Sequence, residues 1–66
     1  MILKPYAKNL QTGEVRQIHS IRYDAEGNIT RVVVFPEQFN NVTNYFWKDV
    51  RYAFAQDIEQ AKELLQ

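Results

Sequence analysis

The sequence predicts an α+β fold, a small curled antiparallel β-meander of three to five strands with a C-terminal α-helix packed on it. Three observations predict it. The only two glycines, Gly13 and Gly27, lie in polar turns at residues 11–14 and 24–28, which cut the first half of the chain into stretches of similar length. Residues 29–35 are rich in β-branched side chains, which fit a pleated surface. Asp57, with Gln60 three positions on, opens a segment whose apolar residues recur at helical spacing.

Residues 2–10 read as the first strand. Pro5 lies inside it and offers no N–H to a ladder, which places this strand, or its N-terminal part, at a sheet edge. Thr12-Gly13 makes the first turn. Residues 15–23 form the second strand, with Val15, Ile18, Ile21 and Tyr23 as its apolar points. A three-residue hairpin loop follows, in which Ala25 and Glu26 take a type I turn and Gly27 takes the left-handed position that glycine fills at least cost. With Asp24 opposite Asn28, Tyr23 pairs with Ile29, Ile21 with Arg31, and His19 with Val33. On the other face Arg22 pairs with Thr30, Ser20 with Val32, and Ile18 with Val34. Neither face of that ladder is purely apolar, whereas a sheet covered on one side alternates cleanly. A bulge that switches the inward face would resolve the conflict. So would a sheet curled until both faces are partly covered, for which an SH3-like barrel is the topological example.

Residues 29–35 read as the central strand, stopped by Pro36, and residues 37–41 as a polar loop holding Phe39. Residues 42–47 resemble a fourth strand. Residues 47–50 either continue it or make a single tight turn. Tyr52-Ala53-Phe54 alternates and forms a short last strand. Asp57 then caps a helix at 57–65 with Ile58, Ala61 and Leu65 on one face and Leu64 beside them. So short a helix is unstable alone in water and has to dock on the sheet.

At 66 residues the chain is read as one domain, with the meander at 2–55 and the helix at 57–65. Its core is thin. With no cysteine, neither disulfides nor thiolate metal sites reinforce it, so packing or self-association must. No apolar run has signal-peptide length, and the longest, at residues 32–35, is far short of the ~20 that cross a bilayer. The expectation is a soluble, cytoplasmic protein with no membrane association. Eight basic residues balance eight acidic ones, which removes the strong electrostatic attraction typical of nucleic-acid binders. A slight basic excess in residues 1–35 is matched by an acidic one in 36–66.

Catalytic chemistry is poorly supplied. The single serine, Ser20, and single histidine, His19, are neighbours on a strand, so their side chains should point to opposite faces and form no dyad. One histidine with scattered carboxylates has no metal-ligand spacing, and neither glycine belongs to a phosphate loop. No enzyme, cofactor or metal is expected.

The remaining signal is aromatic. Six of the nine aromatics fall within residues 39–54, interleaved with Lys48 and Arg51. On a strand Tyr45 and Trp47 point one way and Phe46 the other, so this run cannot all be core. Either the sheet buries one set and the helix covers the other, or an aromatic patch is exposed. The candidate binding residues are Tyr45, Trp47, Lys48, Arg51 and Tyr52. Aromatics and arginine anchor protein interfaces, so the expectation is a non-enzymatic interaction module binding a protein partner, or a second copy as a homodimer. The alternative is a single-stranded nucleic-acid binder that stacks bases on the same rings.

Overall fold

The computed structural model describes residues 2–38 and 41–66, with side chains described at all of these except 36–38 and 41–43. Among the described residues there are five strands: β1 (Lys4–Asn9), β2 (Val15–Tyr23), β3 (Ile29–Gln38), β4 (Asn41–Phe46) and β5 (Val50–Ala55). A 3-10 turn, Trp47–Asp49, joins β4 to β5, and helix α1 (Ile58–Leu64) closes the chain. They form an antiparallel sheet in the order β4-β3-β2-β1-β5.

Both turns form as their residues dictate. Gly13 and Gly27 have φ of 81° and 87°. At the second turn the Asp24 N–H donates to the Asn28 carbonyl at 2.8 Å, closing a three-residue loop. The Asp24 carboxylate accepts from the N–H groups of Glu26 and Asn28, both at 2.9 Å. These bonds, led by that from Asn28, hold its carboxyl below the usual range.

The β2–β3 ladder departs from simple alternation. Tyr23↔Ile29 and Ile18↔Val34 pair as expected, but between them Arg22 faces Arg31, Ile21 faces Val32, and Ser20 faces Val33. Thr30 is the extra residue at one shift and His19 at the other. The two bulges cancel, and between them they re-aim the strand. Ile18 and Ile21, three apart, come to one side, as do Ile29 and Val32. This resolves the mixed faces that plain alternation predicts.

Three further expectations are corrected. The central strand is β2, with β3 beside it. Pro36 does not stop β3, which runs to Gln38, although pairing with β4 is irregular between Val34 and Gln38. Residues 37, 38 and 41 of the expected polar loop are therefore strand, and Phe39 lies outside the described residues. Finally, β1 is not an edge strand throughout, since β5 pairs along its whole length; only its N-terminal part, Lys4 and Pro5, lacks a partner in β2 and is an edge on that side, the second of the two placements expected from Pro5. Pro5 is tolerated because β2 pairs only with Tyr6, Ala7 and Lys8. The Asn9 N–H points at β2, so the missing Pro5 N–H would point the same way, beyond the end of that ladder.

Residues 15–17 of β2 pair with β1 and residues 18–23 with β3. The sheet curls about this division. Ile29 of β3 and Phe54 of β5, separated in a flat sheet by three strand spacings, about 14 Å sideways, and by a further offset along the strands, line one small groove. The curl leaves the sheet open, with β4 and β5 as its edges, so it stops short of a closed barrel. Each face has its own core. Inside the curl lie Ala7, Ile18, Val32, Val34 and Tyr45, with Trp47 and Val50 against them. On the outer face Tyr6 and Ala55 meet Ala61 and Leu65 of the helix.

The helix begins as expected. The Asp57 carboxylate accepts from the Gln60 N–H at 2.9 Å, and the Gln60 side chain accepts from the Gln56 N–H at 2.7 Å. That is a capping box reaching one residue further back than usual. Ala61 and Leu65 are buried and Ile58 packs beside them, whereas Leu64 is exposed. The Lys8 ammonium donates to the Leu65 carbonyl at 2.9 Å, a cation on the negative end of the helix dipole.

Candidate functional site

The helix does not cover the aromatic run. It lies on the face that carries Ala53 and Ala55, and strand alternation places Tyr52 and Phe54 on the other. Tyr52 and Phe54 are 54% and 58% exposed. The Trp47 ring is stacked on Tyr52, with centroids 5.7 Å apart and planes 29° apart. Phe54 meets Tyr52 edge-on at 6.5 Å. The three rings form one continuous row, set by the 3-10 turn that swings Trp47 back over β5.

This row borders a groove of about 230 Å³. Pro5 of β1, Ile18 and Ile21 of β2, and Ile29 of β3 complete its lining. Every lining residue is apolar or aromatic, and none carries a charge. The groove exists because the two bulges bring Ile21 and Ile29 to the same side as Ile18, and because the curl carries β3 towards β5.

The five candidate residues are divided by the fold. Trp47 and Tyr52 come together as the centre of the row. Tyr45 is 5% exposed and belongs to the inner core, outside the aromatic row, and it also lines the cleft beside Lys48. Its hydroxyl is buried without a hydrogen-bond partner among the described residues, and burial raises its pKa above the usual phenol value. Lys48 borders a separate cleft of about 470 Å³, together with Asn9, Gln11, Asn44 and Asp49 and the aromatic residues Tyr45 and Phe46. The cleft is tied across by the Gln11 side-chain amide, which donates to the Asp49 carboxylate at 3.0 Å. Arg51 alternates with Tyr52 and lies on the helix side of the sheet, next to Lys8 in register. Neither cation lines the aromatic groove.

Sequence reasoning missed Pro5, Ile18, Ile21, Ile29 and Phe54. Phe54 was within reach, since it shares its strand parity with Tyr52. The others meet only through bulges and curl, which no local pattern announces.

One exclusion also needs correcting. The bulge at His19 breaks alternation, and His19 Nδ1 comes within 3.2 Å of Ser20 Oγ. The pair is not enclosed: His19 is exposed, packs edge-on against Phe35 at 5.0 Å, and neither residue lines either cleft. Among the described residues no cluster of three or more His, Cys, Asp or Glu is placed to hold a metal ion, and no helix is long and apolar enough to cross a membrane. No family model matches the chain, and neither a curated protein nor a solved structure matches it.

Proposed function

We propose that this chain is a non-enzymatic interaction module that binds a protein segment in the groove beside Trp47, Tyr52 and Phe54. The observation that supports the reading is the composition of that groove, which is apolar throughout and edged by Tyr52 and Phe54, both more than half exposed, with Trp47 half-buried beside them. Exposed aromatics gathered in a concave patch are what protein interfaces use as anchors. Burying one such ring contributes about 2 to 3 kcal/mol. The occupant is an extended apolar segment, from another protein or from a second copy. A cytoplasmic setting suits a chain without cysteine.

Single-stranded nucleic acid is the competing ligand, since bases also stack on exposed rings. The position of the cations favours protein: a nucleic-acid groove tracks phosphates with lysine and arginine, and here Lys48 and Arg51 lie elsewhere. Selection of a displayed peptide library on the wild type and on Tyr52→Ala tests the reading. Apolar sequences should be enriched by the wild type and lost with the variant, whose substituted side chain is exposed and spares the fold. Trp47 is the only tryptophan and reports directly on the groove. Titrating oligothymidylate should leave its fluorescence unchanged. Quenching that weakens steeply with salt, alongside no peptide enrichment, would transfer the assignment to nucleic acid.

A further inference from the structure

Strand β5 is an edge strand, and its free side is patterned. The Leu10 N–H donates to the Asp49 carbonyl at 2.8 Å, continuing the β1–β5 register by one pair beyond Asn9↔Val50. Bonded pairs alternate along an antiparallel ladder, so Arg51, Ala53 and Ala55 direct their main-chain groups at β1. Tyr52 and Phe54 direct theirs outward. No main-chain group of either has a partner among the described residues. The Val50 N–H is taken by the Trp47 carbonyl. The open edge thus presents two consecutive free rungs, each belonging to a residue whose ring borders the apolar groove. The helix packs on the Ala53 and Ala55 face of the sheet, opposite Tyr52 and Phe54, and its last turn is held at β1 by Lys8.

We propose that β5 pairs with β5 of a second copy, antiparallel, about a two-fold axis through Ala53. This deepens the reading of the groove as a protein-binding surface and rests on it. The arrangement is self-complementary. With the axis at Ala53, Tyr52 stands opposite Phe54 of the second copy and Phe54 opposite its Tyr52. Both are bonded pairs, so every outward N–H and C=O of the four residues is used. The rings meet as cross-strand aromatic pairs, a favourable combination on a sheet face. Arg51 falls opposite Ala55 of the second copy, so the two arginines do not confront each other. A free hydrophobic edge is the part of a sheet that recruits another strand, and two-fold association is the commonest closed solution. The four rings supply roughly 100 Å² apiece of exposed surface, which is modest against the ~1,200 Å² of a stable interface. The dimer is therefore weak and concentration-dependent.

The absence of native cysteine makes the register testable by cross-linking. In Ala53→Cys the two thiols face each other in a non-bonded pair, with Cα atoms about 4.5 Å apart, within disulfide range. In Arg51→Cys they lie about 13 Å apart, beyond it. Under mild oxidation Ala53→Cys should become a covalent dimer and Arg51→Cys should not, and the wild type should sediment as a dimer only at high concentration. The wild-type measurement stands even where a variant folds poorly. A wild type that stays monomeric up to millimolar concentration overturns the proposal. So does a dimer that Arg51→Cys traps as readily as Ala53→Cys. Peptide selection by the groove is scored independently, so a monomer that still enriches apolar peptides loses self-pairing and keeps the binding function.

Discussion

Gly27 holds φ at 87°, and the space where a Cβ would stand is empty. Any cost of Gly27→Ala is therefore backbone strain alone. That cost should be about 1 kcal/mol, measured as a fall in stability by chemical denaturation. Tyr45 is the opposite case. Its ring belongs to the inner core, but its hydroxyl is buried without a partner among the described residues. A buried unsatisfied hydroxyl costs about 1 to 3 kcal/mol. Tyr45→Phe should accordingly raise stability, by about 1 kcal/mol. The pH dependence follows from the raised pKa of Tyr45. Its contribution is complete below the ordinary phenol value near 10 and is lost as pH rises from there through the raised value. Tyr45→Phe should remove that part of the alkaline sensitivity, and denaturation midpoints at neutral and alkaline pH compare the two proteins directly.

Among the elements, the helix has the most local logic. Asp57→Ala removes the acceptor for the Gln60 N–H and should cost about 1 kcal/mol, read from the denaturation midpoint. An unchanged midpoint would mean that the cap contributes nothing. The cap, the hairpin loop at 24–28 and the positive φ of Gly27 were legible in the sequence because each determinant lies within about five residues. The bulges were legible only as a conflict: neither face of a plain β2–β3 ladder was apolar. Which residues would be extruded depends on the curl, and so on contacts with β1 and β5. Pro36 misled for a related reason. A proline stops a strand where its N–H is needed, and here pairing with β4 is already irregular.

For the whole molecule, what the sequence made visible was an aromatic row, and what it hid was the division of that row between two faces. The 3-10 turn at Trp47–Asp49 resets the alternation between β4 and β5. Trp47 returns over Tyr52, Arg51 goes to the helix side, and Lys48 to the cleft beside Asp49 and Phe46. A linear run of aromatics and cations thus becomes an uncharged groove with the cations elsewhere. The order of the strands in space was equally hidden, since β1 sits between β2 and β5 and Pro5 survives there only because the β2 ladder ends at Tyr6.

That placement of β1 bears on how the protein is made. Lys4 pairs with Ala55 and Asn9 with Val50, so β1 leaves the ribosome well before β5, the partner it pairs with along its whole length. The β2–β3 and β3–β4 hairpins are local and close as soon as they emerge, whereas β1 holds only its short ladder to β2 until β5 arrives. The outer core around Tyr6 is completed later still, by Ala61 and Leu65. During synthesis the chain therefore carries the β2–β3–β4 part of the sheet and an exposed Tyr6 face until β5 and α1 emerge to cover β1 and Tyr6.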